Sequence, residues 1–186
     1  SYTPRDFVPG ADGYVSTAQI EGDLALLASE TRCVRTYSST RGMQALPEIA
    51  RRHGLTVLLG LWIGRDAESN EAEIAAALET AHAHPDVIDA IIVGNEVLLR
   101  HEQSVESLAA YIARVNAATD EPVTYADVWE FWHTGAALAD VVDFVTIHIL
   151  PYWENEPVDV AGALAHVREI HAQMQAQAQE AAANGR

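Results

Sequence analysis

A chain of 186 residues, 49% hydrophobic, is long enough to bury one sizeable core and short enough to be read as a single domain over 1–186. With 11 basic against 27 acidic residues the formal charge is -16, which disfavours nucleic acid and anionic membrane surfaces as partners and favours a neutral ligand. The single Cys33 excludes an intrachain disulfide framework, no apolar run reaches the roughly 18 to 20 residues that span a bilayer, and no charged-then-apolar leader opens the chain, so the sequence reads as soluble, with localisation otherwise open.

Strand-like and helix-like patterns alternate about every 30 residues, the pattern of repeated β/α units around a parallel sheet. A stub at 1–3 leads into a loop rich in Pro4, Pro9, Gly10 and Gly13. Residues 32–37 form the first clear strand, with Cys33 expected as a small buried side chain. A helix over 43–53 stops at Gly54. The next strand is 55–63, followed by a helix over 70–82 that Asn70 caps and whose apolar residues Ile74, Ala75 and Leu78 fall at helical spacing.

The strand at 87–93 ends in the fully apolar run 90–93, as strands covered on both faces do, and stops abruptly at Gly94-Asn95-Glu96. Ser104 starts a helix toward 117, 122–125 is a short strand, 134–139 a brief helix, 141–150 a long apolar strand and 158–183 the last helix. Its 172–186 end is rich in Gln and Ala. It reads as a solvated, fraying tail, with helix-mediated association the alternative. Five strands and the stub give at most six β/α units of an eight-unit barrel that ordinarily takes about 250 residues. The expected fold class is α/β, an incomplete (β/α) TIM-type barrel with about six of eight units.

Polar and aromatic residues gather just after the strands: Arg35 to Ser38, Trp62 to Asp66, Asn95-Glu96, Tyr125 to Glu130 and His148 to Glu154. The carboxyl ends of parallel barrel strands share one rim, so these groups are expected to converge. Tyr37, Trp62, Trp129, Trp132, Tyr152 and Trp153 offer flat apolar faces, and Asn95, Asp127, Glu96, Glu130 and Glu154 offer hydrogen bonds, the pairing that sugar rings require. Each aromatic taken alone also suits core packing. Glycoside cleavage uses two carboxyl groups, and Glu96, flanked by Val93 and Val97, is the candidate acid, with desolvation expected to raise its pKa. A Glu after a strand also serves as a helix cap or loop ion pair, and Asn95 as a local turn bonder. His82 and His84 point to different helix faces, and His101, His133 and His148 come without supporting Cys or carboxylate spacing, so no metal site is expected. No phosphate-binding Gly-rich loop and no Gly-x-Ser-x-Gly elbow occurs.

The segments Val34-Arg35-Thr36-Tyr37-Ser38, Leu59-Gly60-Leu61-Trp62-Ile63-Gly64, Val93-Gly94-Asn95-Glu96 and Thr146-Ile147-His148-Ile149-Leu150-Pro151-Tyr152-Trp153 together resemble bacterial members of glycoside hydrolase family 17, the β-1,3-glucanases and related transglycosylases. The resemblance runs in order over nearly the whole chain. It implies a β/α barrel, retaining chemistry without a cofactor and a β-glucan partner. It also implies Asn95 as ligand of the sugar 2-hydroxyl, Glu96 as acid/base, Arg35 as support for the nucleophile and Tyr152 as an aromatic near the sugar.

In that family the nucleophile is a Glu after strand seven, in a Glu-Thr-Gly-Trp-Pro type motif that this sequence lacks, and Glu180 lies in a helical pattern with no strand before it. A fragment, a naturally shortened protein and a trimmed one are equally compatible with this. Residual cleavage would need Asp127, Glu130 or Glu154 as second carboxylate, at about 5 to 5.5 Å for retention or about 6.5 to 9.5 Å for inversion. The alternative is a non-catalytic carbohydrate-binding or structural barrel remnant. Open sheet edges pair or become covered, so self-association shielding 141–150 is also expected.

Overall fold

The computed structural model describes residues 1–5, 13–155 and 157–183, the last three of these by backbone alone. The expected alternation is present. β1 (Cys33–Arg35), β2 (Thr56–Leu61), β3 (Ile88–Asn95), β4 (Val123–Val128) and β5 (Thr146–His148) pair side by side in sequence order, every pair parallel. They form a curled half-barrel with flanking helices. This is a partial TIM-type barrel of five strands among the described residues. The 1–3 stub is no strand, although the Tyr2 N–H donates to the Arg35 carbonyl at 2.7 Å and so closes part of the first edge.

β4 is buried along its whole length and β3 along nearly all of its own, which is why β3 carries the apolar run 90–93, while β4 encloses the polar Thr124 and Asp127. The helices lie against the sheet through single stripes. In α2 (Leu46–Arg52) the stripe is Leu46, Ile49 and Ala50; in α4 (Val105–Asn116), capped by Ser104, it is Leu108, Ile112 and Val115. The sequence carries no clear pattern for α1 (Thr17–Leu27). Ser16 caps it by accepting the Gln19 N–H at 3.2 Å, and only Ile20 and Leu24 are buried, one pair four residues apart and too sparse a stripe to stand out.

Three expected elements differ from those found. Asp66, not Asn70, caps α3 (Ala67–Ala83), accepting the Ser69 N–H at 2.8 Å. Asn70 lies inside the helix on its buried face and clamps Gly64, accepting from its N–H at 2.8 Å and donating to its carbonyl at 3.0 Å. The expected 134–139 helix is instead α5 (Trp129–Thr134) followed by a short 3-10 turn, Ala136–Asp140. Packing decides this: Trp132 lies 5.7 Å from the Tyr125 ring and donates its indole N–H to the Thr146 carbonyl. The long 141–150 strand shrinks to Thr146–His148 because Asp143 is used elsewhere. Its backbone N–H donates to the Val123 carbonyl and its carboxylate accepts the Val123 N–H, tying the approach to β5 across the start of β4.

α6 (Val160–Ala183) touches the core through Ile170 and Met174, so the Gln/Ala segment is attached by one turn at Met174, and 184–186 lie outside the described residues. Cys33 is half-buried rather than enclosed.

Candidate active site

The carboxyl ends of β1, β2, β3 and β5 meet around a cavity of about 400 Å³ whose walls include Arg35, Tyr37, Trp62, Asn95, Glu96 and His148. Ser1, Thr3 and Leu150, none of them expected as site residues, complete it.

The backbone aims Glu96 by a bulge. From Ile92 to Asn95 is three steps along β3, while their partners Thr124 and Ala126 are two apart, so β3 carries one extra residue. Gly94 absorbs it at φ +85°, where a Cβ would lie 2.6 Å from Val97 Cγ2. Bulges of this kind re-aim side chains at active sites. Glu96 itself sits at φ +54°, a conformation that costs a non-glycine residue energy and persists only where the surroundings fix it. Two hydrogen bonds do so: its N–H donates to the Ala126 carbonyl at 2.8 Å and its carbonyl accepts the Arg100 N–H at 2.9 Å.

A chain of contacts joins the polar residues. Arg35 donates from Nη2 to Asn95 Oδ1 at 2.7 Å, and its Nη1 meets His148 Nε2 at 3.1 Å. His148 Nδ1 meets Glu96 Oε1 at 2.7 Å. Guanidinium only donates, so His148 Nε2 is the acceptor, its proton sits on Nδ1, and that N–H points at the Glu96 carboxylate. The same logic turns the Asn95 oxygen toward Arg35 and leaves its amide N–H groups to donate into the cavity. Burial pulls the Arg35 guanidinium below its ordinary value, opposed by the charges of Tyr37 and Glu96.

Glu96 corrects the expected raised pKa. Its hydrogen bond with His148, with the positive charge of Arg100 and Arg35, outweighs desolvation and holds the carboxyl below the usual glutamate range. The side chain keeps 26% of its surface exposed, so the apolar flanks Val93 and Val97 desolvate it only in part.

The aromatic wall is anchored from behind. The Arg100 guanidinium lies 4.2 Å over the Trp62 ring and donates to Glu102 and to the Ile63 carbonyl at 2.9 Å. The Arg35 guanidinium lies 5.0 Å over the Tyr37 ring. Beneath them Glu73 of α3 is a buried carboxylate with four donors: the hydroxyls of Ser38 and Thr40 at 2.6 and 2.5 Å, the Ser39 N–H at 2.8 Å and the Trp62 N–H at 3.2 Å. A charged residue in a helical stripe otherwise made of the uncharged Asn70, Ile74, Ala77, Thr80 and Ala81 was a signal that could have exposed this role. Tyr37 and Trp62 also face a second cavity, of about 600 Å³, on the α3 side.

The other expected site residues lie elsewhere. Asp127 is fully enclosed under the Glu96 turn, with its oxygens taken by protein donors. Glu154 is also buried, accepting the Leu150 N–H at 2.6 Å and pairing with His166 of α6. Trp129 is half-buried, its ring edge-on to His133, and Glu130 accepts from Asn155 Nδ2 at 3.4 Å, its one side-chain hydrogen bond among the described residues. Tyr152 and Trp153 stand edge to face with each other, 79% and 81% exposed, outside the cavity. Arg35 serves Asn95 and His148 rather than a second carboxylate. Glu96 is thus the single carboxylate among the described residues lining the cavity. No group of three or more His, Cys, Asp or Glu with metal-holding geometry occurs among the described residues.

Comparison with known proteins agrees with this fold. The fold superposes with a TM-score of 0.76 on a Rhizomucor miehei β-1,3-glucanosyltransferase, an active-site mutant in complex with laminaritriose, at 27% identity over 89% of this chain and 62% of that one. The same protein's other structure, with a TM-score of 0.75, is described as a glycoside hydrolase family 17 β-1,3-glucanosyltransferase. A glucan 1,3-beta-glucosidase of Schizosaccharomyces pombe is 30% identical over 164 residues, 80% of this chain and 50% of that protein. A probable beta-glucosidase btgE of Aspergillus flavus is 27% identical over 176 residues, 86% of this chain and 28% of that protein. The chain therefore spans half or less of the curated relatives it matches, and these relatives are fungal rather than bacterial. The BtgE/BtgC glycoside hydrolase domain model covers residues 1–184, and the chain belongs to that family.

Proposed function

We propose that this chain forms the acid/base side of a β-1,3-glucan-processing site, with Glu96 as the proton-transferring carboxyl. The observation that carries the reading is the Arg35, His148, Glu96 and Asn95 network in one cavity. His148 fixes the carboxyl's direction, Arg35 fixes His148 and the Asn95 amide, and that amide donates to a sugar hydroxyl. Tyr37 and Trp62 supply the apolar wall for a sugar ring, and the laminaritriose bound by the Rhizomucor miehei relative supports a β-1,3-glucan as ligand class.

As it stands Glu96 is an ionised base. A substrate that expels water, or a second carboxylate brought close, would raise its pKa and let it protonate a leaving oxygen. In a retaining reaction that second carboxylate is the nucleophile, and we infer that it comes from outside the residues lining this cavity. Because Glu96 stands alone among the described lining residues, glucan binding without turnover is the second reading.

Calorimetry with laminaritriose and reducing-sugar release from laminarin, run on the parent and on Glu96→Gln, test both. Binding retained within a few-fold by the variant, with any turnover lost, is expected. Turnover that survives Glu96→Gln removes Glu96 from the mechanism. No binding by the parent protein overturns the sugar site.

We further infer self-association through the outer edge of β5, where the strand is paired on one side only among the described residues. Sedimentation velocity showing a monomer across a wide concentration range overturns it.

A further inference from the structure

We propose that the buried Tyr125 and Asp127 side chains of β4 form a clamp that positions Glu96 by pinning the turn that follows it; the inference rests on Glu96 as the acid/base of this site. After Glu96 the chain makes one tight turn: Arg100 N–H returns to the Glu96 carbonyl, His101 N–H to the Leu98 carbonyl and Glu102 N–H to the Val97 carbonyl. The first N–H groups of such a turn have no partner within it. In helices a side chain just ahead in sequence satisfies them. Here the neighbouring strand does.

The Leu98 N–H is 3.0 Å from the Tyr125 hydroxyl and 3.3 Å from Asp127 Oδ2, and the Leu99 N–H is 3.4 Å from the same oxygen. The Tyr125 O–H donates to Asp127 Oδ2, and Asp127 Oδ1 accepts the Val128 N–H at 2.8 Å. Neither side chain reaches the cavity, and both are essentially without solvent contact. Burial pushes the Tyr125 hydroxyl far up, so it keeps its proton and donates. Burial also pushes the Asp127 carboxyl up, against hydrogen bonds from Tyr125, Val128, Leu99 and Leu98. Placing a carboxyl where no ligand touches it costs free energy unless donors satisfy it, and two of its four donors, the Leu98 and Leu99 N–H groups, belong to the Glu96 turn.

The clamp explains how Glu96 holds φ +54°. Glu96 is fixed on its N-terminal side by the sheet bond to Ala126, and on its C-terminal side its carbonyl is only as rigid as the turn that carries Arg100. With Leu98 and Leu99 pinned to β4, the backbone on both sides of Glu96 is referred to the same strand. Tyr125 and Asp127 are therefore positioning residues. Their loss frees the turn, relaxes Glu96 and separates its carboxyl from His148.

Tyr125→Phe and Asp127→Asn test this without needing turnover. The charged and titratable groups facing Glu96 are His148, Arg100 and Arg35, and all three are untouched by either change. In folded variants, shown by a cooperative thermal transition, the Leu98 and Leu99 amides should exchange with solvent at least tenfold faster than in the parent. The Glu96 carboxyl, followed by carbon-13 NMR, should titrate closer to the ordinary glutamate value of about 4.3. A folded variant whose Glu96 titration stays at the parent's value overturns the proposal even if its melting temperature falls, since the pair would then be packing alone. Tyr125→Phe keeps the ring against Trp132 and so provides the readout where Asp127→Asn does not fold. In the parent, Leu98 and Leu99 amides exchanging as fast as that of exposed Glu30 also overturn it. Failure of the Glu96 assignment would instead show as glucan cleavage surviving Glu96→Gln, with the clamp's effects on titration and exchange intact.

Discussion

Glu73 offers the sharpest test of how the aromatic wall is held. Its carboxylate is buried and accepts from two hydroxyls through Oε1 and from two backbone N–H groups, of Ser39 and Trp62, through Oε2. In Glu73→Gln the amide oxygen should stay on the backbone side, because the Ser38 and Thr40 hydroxyls can rotate to accept while a backbone N–H cannot. All four contacts then survive in weaker, uncharged form. A bond to a charged group contributes about 0.5 to 1.5 kcal/mol more than a neutral one, and partial compensation leaves an expected loss of about 2 kcal/mol. Glu73→Ala orphans both backbone donors, each at roughly 1 to 3 kcal/mol, and opens a void, giving about 4 kcal/mol or more. At about 2 to 4 °C per kcal/mol for a domain of this size, the melting temperature should fall by about 4 to 8 °C and by about 8 to 16 °C respectively. Urea unfolding with an unchanged slope checks that the native state is what moved. If Ala costs no more than Gln, or both cost less than about 1 kcal/mol, the carboxylate is not what organises the 38–40 loop and Trp62.

Replacing His148 by Phe removes the donor to Glu96 while filling the same space. The pair is part-exposed, so the hydrogen bond is screened, and the Glu96 titration midpoint should rise toward the ordinary glutamate range, read by carbon-13 NMR. A midpoint that stays put or falls would show that Arg100 and Arg35 alone depress it. The sign for stability follows: a depressed folded pKa stabilises above the unfolded value of about 4.3 and that contribution fades as pH falls through the folded value, so the parent's advantage over His148→Phe should shrink below about pH 4 in unfolding experiments. Gly94→Ala puts a Cβ against Val97 at φ +85°, and should cost about 1 to 3 kcal/mol in unfolding free energy and weaken laminaritriose binding. A neutral result would mean that the bulge can relocate.

Much of the site was legible because its residues punctuate apolar strands. Arg35, Trp62, Asn95 and His148 follow or end such runs, and parallel strands bring their ends to one rim, so their convergence follows from periodicity and topology together. Asp127, near the end of β4, and Glu154, beyond β5, are equally well placed in sequence, yet both are buried away from the cavity. Position in sequence places a side chain at the rim without saying whether it faces the cavity or a neighbouring turn, and for Asp127 the unpaired N–H groups of Leu98 and Leu99 settle that.

The same division holds for the chemistry. An apolar strand ending in Gly94-Asn95-Glu96 determined by itself that a carboxyl would be presented at the rim, because strand, bulge glycine and acid are local and covalently ordered. Whether that carboxyl would be a raised acid or a depressed one depended on His148, 52 residues away on β5, and on Arg35, which orders His148 from β1. Electrostatics inside a fold is set by distance in space, and only the curl of the sheet brings β1, β3 and β5 within hydrogen-bonding reach of one another.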